Sequence, residues 1–151
     1  MACRAGIVKV AGVATGTSVK TLLQLVAAAN HAIEVVEAGI GFHGTNNTHE
    51  PILVELVRQT DAGTSSAATV HAADDSGGDT FDTTARHTAT VEPSEHTPVR
   101  VLRAWTVHPQ TGLVYQAHDK APIIVGAGDR IGLRVTAANS VDADAYLTFV
   151  E

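Results

Sequence analysis

A two-residue alternation of apolar and polar side chains begins near Ile33 and persists to the last residues of the chain, and it constrains the fold more than any other feature. Successive side chains of a strand point to opposite faces, so an apolar residue at every second position marks a strand with one buried face. Ile131, Leu133 and Val135 alternate with Gly132, Arg134 and Thr136, and Ala145, Leu147 and Phe149 alternate with Tyr146, Thr148 and Val150. Val99, Val101, Arg103, Trp105 and Val107 share a face opposite Leu102, Ala104 and Thr106. Turn-forming stretches separate the runs: Gly44-Thr45-Asn46-Asn47-Thr48, Pro109-Gln110-Thr111-Gly112, Gly126–Asp129 and Asn139–Asp142.

Ser18–Glu37 satisfies two periods at once. Leu22, Val26, Ala29 and Ile33 recur at helical spacing, while Leu23, Leu25 and Ala27 alternate. The second half decides. Ile33 and Val35 flank Glu34, then Val36, Ala38, Ile40 and Phe42 alternate with Glu37, Gly39 and Gly41. The phase slips once, at Val35-Val36, as a β-bulge requires. Gly39 and Gly41 would each weaken a helix by about 1 kcal/mol. The reading is therefore two strands, Lys20–Ala27 and Ala32–Phe42, hinged at Ala29-Asn30-His31.

Further strands follow at Ile52–Gln59, opened by Pro51, at the Thr-rich Thr83–Val91, and at Ile123–Val125. Leu113–Ala117 is expected to pair back on the preceding strand as a hairpin. Residues 1–18 are small and Gly-rich, and read as an N-terminal arm with a strand-forming stretch at Ala5–Val13. Asp61–Asp82 reads as a long polar loop with room for a short strand at Ala67–His71. Eight to ten short strands with turns between them indicate a sandwich or barrel. The expected organisation is an arm (1–18) and one all-β domain (19–151), an antiparallel β-sandwich of jelly-roll type.

Composition narrows the partners. The formal net charge is −6, from 10 Lys and Arg against 16 Asp and Glu, and Lys occurs only at Lys9, Lys20 and Lys120. Such a chain lacks the basic footprint for nucleic acid or anionic lipid. Charged residues make up only 17%, against about 25% in an average domain, which suits a surface given over to neighbours. The single cysteine, Cys3, excludes an internal disulfide and a Cys-based zinc site. No stretch approaches the roughly 18 apolar residues of a membrane span. The opening residues, interrupted by Lys9 and several glycines, do not read as a signal peptide. The chain is therefore expected to stay where it is made or to leave by lysis.

Candidate chemical motifs are weak. Gly39-Ile40-Gly41-Phe42-His43-Gly44 spells GxGxxG, but turn residues follow it where a dinucleotide site needs a helix N-terminus. No pair among His31, His43, His49, His71, His87, His96, His108 and His118 has the i, i+4 or H-x-H spacing that sets two imidazoles on one metal. Asp74-Asp75-Ser76-Gly77-Gly78-Asp79 with Asp82 resembles a cation loop, but its ligand order is wrong for calcium. Asp142 and Asp144 read as the polar rim of a turn, and Asn46-Asn47-Thr48 as a chance sequon. Trp105, on an alternating face, reads as core. No GxSxG elbow or carboxylate pair stands out, so the site prediction is no catalytic, cofactor or metal residue.

Three segments together carry a resemblance. They are Thr21-Leu22-Leu23-Gln24-Leu25-Val26-Ala27-Ala28-Ala29-Asn30-His31; Gly39–Thr45 with Glu50-Pro51-Ile52-Leu53-Val54-Glu55-Leu56; and Ile124-Val125-Gly126-Ala127-Gly128-Asp129-Arg130-Ile131-Gly132-Leu133 with Ala145-Tyr146-Leu147-Thr148-Phe149. Over residues 20–151 the chain resembles small jelly-roll decoration or cement proteins of tailed-bacteriophage capsids. The closing Gly-Asp-Arg-Ile and last hairpin are also similar to trimeric jelly rolls of the complement and tumour-necrosis-factor type. The resemblance implies a non-enzymatic virion protein, a homotrimer on the capsid surface with the major capsid protein as partner, made in the host cytoplasm, without cofactor, nucleic acid or membrane. Two other readings stand beside it: a receptor- or glycan-binding jelly roll of a phage tail or cell surface, and a cupin-like enzyme with gathered histidines.

Overall fold

A computed structural model describes residues 3–44, 50–74 and 80–151, and every regular element in these stretches is a strand. In chain order they are β1 (Ala5–Ala14), β2 (Lys20–Val26), β3 (Ile33–His43), β4 (Ile52–Gln59), β5 (Thr64–Ala68), β6 (His71–Ala72), β7 (Thr84–Val91), β8 (Val101–Val107), β9 (Leu113–Gln116), β10 (Ile123–Val125), β11 (Arg130–Thr136) and β12 (Asp142–Val150). They form two antiparallel sheets. Sheet A has the order β10-β3-β12-β1-β6, with β9 beside β10 on the same edge of β3. Sheet B has the order β5-β7-β2-β11-β4-β8. The all-β sandwich expected from the alternation is what the chain adopts.

The alternating residues form the core. From sheet A, Val8, Val35, Ala145, Leu147 and Phe149 are almost wholly buried. Leu23, Leu25, Val54, Leu56, Ile131 and Leu133 meet them from sheet B. Strands β1 to β4 alternate between the sheets, and so do β8, β9, β11 and β12. Neither sheet is completed by one continuous stretch of chain.

The two strands expected in 20–42 are present as β2 and β3. The bulge lies where the phase slips: Thr148 pairs with Glu37 and Phe149 with Val35, leaving Val36 as the extra residue. A bulge at Leu102, between the pairs Leu56–Arg103 and Val57–Val101, changes the face of β8 midway. Arg103, Trp105 and Val107 point inward as expected, but Val99 and Val101 are exposed.

Three expectations are corrected. The stretch expected as an arm, 1–18, holds an interior strand instead: β1 lies within sheet A, paired along its length with β12 and at Gly6 and Ile7 with β6. Its pattern is faint for two physical reasons. A register shift between Val10 and Val13 breaks the alternation, and Gly6 has no side chain because a Cβ there would lie 2.6 Å from the Phe149 ring. Leu113–Ala117 does not form a hairpin with β8: β9 pairs with β3 in sheet A, and β8 with β4 in sheet B. The Pro109–Gly112 turn reverses the chain locally while carrying it across the sandwich. Only side chains join β8 to β9, through Trp105 and Tyr115 (ring centroids 5.0 Å apart) and the Arg103 Nε donating to Tyr115 Oη at 3.1 Å. Asp61–Asp82 is not a plain loop either, since it supplies β5 to the edge of sheet B and β6 to the edge of sheet A. Residues 45–49 and 75–79, with His49, the sequon and most of the acidic loop, lie outside the described residues.

Sheet B carries its own cover. Residues 92–100 cross its outer face as a strap. The Glu92 carboxylate accepts from the Thr21 amide (2.5 Å) and hydroxyl (2.7 Å). Glu95 bridges to Gln59 and pairs with Arg134, and the Thr60 amide donates to Ser94 O (2.9 Å). Gln24 and Gln59, each 2% exposed, lie in this zone. Gln24 Nε2 donates to Gln59 Oε1 (2.7 Å), Gln59 Nε2 to Thr21 Oγ1 (2.8 Å) and Arg130 to Gln24 Oε1 (3.0 Å). Buried amides cost little when satisfied in this way.

Deleting residues 1–14 is expected to abolish cooperative folding, because it unpairs β12 and uncovers the core; a cooperative thermal transition by circular dichroism in the truncated chain would contradict this. Leu147→Ala is expected to cost about 2–5 kcal/mol in urea unfolding.

Candidate binding surface

Among the described residues, the outer face of sheet A is the broad sheet face without a strap. It is built from the polar-phase residues of β1, β12, β3 and β9, whose registers place them in rows. Lys9, Tyr146, Gly39 and Val114 form one row across the four strands. Ile7, Thr148, Glu37 and Gln116 form the next. Asp144 and Gly41 pair on the other side.

Two glycines shape the surface. At Gly39 a Cβ would fall 2.1 Å from the Tyr146 ring, so the tyrosine lies flat across the strand. At Gly41 a Cβ would meet nothing within 4 Å. The result is a shallow groove of about 500 Å³, lined mainly by Ile7, Val10, Leu113, Val114 and Tyr146 and rimmed by Lys9 and Asp144. Val114 is 63% exposed, and Ile124 and Val36 continue the apolar surface toward β10 and the bulge. Solvated strands of this kind more often carry polar residues at these positions.

The polar groups beside the groove are held as acceptors. Glu37 accepts from the Tyr146 hydroxyl and from Gln116 Nε2 (3.0 Å). The Tyr146 bond, then the Gln116 bond, hold the Glu37 carboxyl below the usual glutamate value. The same bond and partial burial raise the Tyr146 phenol. Asp144 accepts from the Gly12 amide (2.7 Å) and lies 3.3 Å from His43 Nε2. Asp142 and Asp144 were expected only as the polar rim of a turn. Both belong to β12, on the outward face with Tyr146.

The other sequence candidates stay dispersed. Gly39 and Gly41 of the GxGxxG match lie inside β3, where no helix begins. His71 is in β6 and His87 in β7. The Nδ1 atoms of His108 and His118 accept backbone amides in turns. Among the described residues no three of His, Cys, Asp and Glu gather closely enough to hold a metal ion. Cys3 is exposed and free. Trp105 packs against the core edge beside Tyr115. Among the described residues no helix is long and apolar enough to cross a membrane.

A second polar cluster ties the chain ends. Glu151 pairs with Arg4 through both backbone groups (3.0 Å each). Its carboxylate accepts from the amides of Asp82 (3.3 Å) and Thr83 (3.0 Å) and lies 3.4 Å from His31 Nε2. Arg4 stacks on Phe81 at 4.5 Å, and Phe81 packs edge-on against Phe149 at 5.7 Å. Burial raises the Glu151 pKa, but the bonds from Thr83, Asp82 and His31 outweigh it and hold the group below 4.5.

Comparison with protein-family models, with curated proteins and with solved structures finds no match.

Because its folded-state pKa is depressed, Glu151 stabilises the fold fully above about pH 4.5 and loses this contribution as pH falls through the lower folded value. Urea midpoints between pH 7 and pH 3 are expected to fall less steeply in Glu151→Gln than in the parent; equal slopes would contradict it. Gly39→Ala is expected to destabilise by about 1–3 kcal/mol, by expelling the Tyr146 ring. Gly41→Ala is expected to be neutral or stabilising by up to about 1 kcal/mol. Opposite signs in one denaturation series check the pair.

Proposed function

We propose that this chain is a non-enzymatic virion protein that binds the outside of a bacteriophage capsid and stabilises it, acting as a trimer with the major capsid protein as partner. One observation carries the reading: among the described residues the β-sandwich leaves one broad, partly apolar sheet face uncovered while a strap covers the other. Two further features support it. The resemblance to capsid decoration proteins spans residues 20–151. The strand order, β1-β12-β3-β9 in one sheet and β2-β11-β4-β8 in the other, with β10 beside β9 and with β6, β7 and β5 added outside these four-strand sets, supports a double-sheet jelly-roll reading.

The physics of such a role is mass action. A protein that binds only the assembled shell lowers the free energy of that state and raises its melting temperature. It needs area, rigidity and complementarity rather than a reactive centre. Because Ala5–Ala14 is a paired strand, attachment falls to the surface of the sandwich rather than to an N-terminal arm.

Purified protein is expected to co-sediment with expanded empty shells of the phage that encodes it, at micromolar concentration, and to raise the shell melting temperature in calorimetry. Light scattering is expected to give three chains per particle in solution. No shell binding at these concentrations overturns the assignment.

A further inference from the structure

We infer that the outer face of sheet A is the docking face, and that its partner is a protein surface with an apolar projection ringed by basic side chains. This rests on the capsid-binding reading above and specifies where and how that binding occurs. Three observations lead to it.

The first is the asymmetry between the two sheets. On sheet B the strap buries the outward side chains of Gln24, Val57 and Gln59. On sheet A the corresponding face has no internal cover among the described residues, and Val114 stands 63% exposed on it. Exposed apolar residues occur on both sides, with Val36, Val114 and Ile124 on sheet A and Leu53, Val91, Val99 and Val101 on the strands and strap of sheet B. What distinguishes the sheet A face is that its apolar residues border a concavity.

The second is the shape. The groove exists because Gly41 leaves an open place in β3 while the neighbouring Gly39 place is filled by Tyr146. A groove of about 500 Å³ with walls of Ile7, Val114 and Tyr146 fits an inserted apolar side chain. Buried central anchors of this kind carry most of the energy of a protein interface.

The third is charge. The strands of this face present Glu34, Glu37, Asp142 and Asp144 and a single cation, Lys9. Glu37 and Asp144 are fixed as acceptors by Tyr146, Gln116 and Gly12. Two copies meeting through this face would set like charges against each other. A basic rim would meet them favourably and would speed encounter. The occupant is therefore a partner of opposite charge and not a second copy.

The test uses the full chain and expanded empty shells of the encoding phage. Gly41→Leu fills the groove, and Val114→Asp charges its wall; both positions are open, so each variant should keep the parental melting temperature. Thr106→Glu, exposed on β8 of the other sheet, is the control. Each groove variant is expected to bind shells at least about tenfold more weakly, and the control within about twofold of the parent. Parental binding is expected to weaken as salt rises from about 50 to 300 mM.

Parental affinity in both groove variants, with the parent bound, overturns the docking face and leaves the capsid assignment standing. Salt-independent binding overturns the basic partner. A parent oligomer that Gly41→Leu converts to monomers in light scattering identifies a second copy as the occupant and overturns the inference. No binding by the parent itself overturns both this inference and the reading on which it rests.

Discussion

The pairing of the last strand with the first, in the interior of sheet A, is the interaction on which the rest of this structure depends. β12 lies between β3 and β1, and its inward residues Ala143, Ala145, Leu147 and Phe149 are all essentially buried. Every β12 side chain that packs inward needs β1 on one side and β3 on the other to keep its backbone groups satisfied, because a buried unpaired amide or carbonyl is costly. Gly6 makes the arrangement possible by leaving room for the Phe149 ring. The seam is then locked at its end, where Glu151 and Arg4 pair and the Glu151 carboxylate gathers the amides of residues 82 and 83.

From this seam the two faces acquire different characters. Sheet B cannot leave Gln24 and Gln59 in its outer face unattended, and the strap with Glu92 and Glu95 completes their surroundings. The polar network under the strap is fully partnered, which favours a single arrangement of 92–100 over sliding alternatives. Sheet A has no such polar demand. On its outer face Tyr146 lies over Gly39, Gly41 leaves the groove open, and Glu37 is satisfied locally by Tyr146 and Gln116. The docking proposed for this acidic, grooved and partly apolar face would need little ordering, since the face sits on a rigid core.

Histidines illustrate how a suggestive count dissolves in three dimensions. His31 and His43 each meet a carboxylate, at Glu151 and Asp144. His108 and His118 accept backbone amides within their own turns, and His87 meets the Thr88 hydroxyl. Each of these five imidazoles has a local structural partner. The apolar groove left only a misleading trace in the sequence, the GxGxxG match whose Gly39 and Gly41 shape it, because its walls come from residues as far apart as Ile7 and Val114.

The sequence by itself located most of the long strands, such as β3, β4, β11 and β12, and their inward side chains, because alternation and turn residues both follow from local backbone geometry. It missed β5 and the face change in β8 that leaves Val99 and Val101 exposed. It did place the bulge at Val36, since a phase slip is visible in one strand without its partner. Only the tertiary structure decided which strands share a sheet. The faintly patterned β1 became an interior strand, β9 left β8 for β3, and residues 92–100 closed over one face and left the other open. The physical reason is that hydrogen bonds between strands join uniform backbones. Partner choice therefore depends on the collective packing of both sheets and on small adjustments such as the Gly6–Phe149 contact, neither of which is written in the period of any single strand.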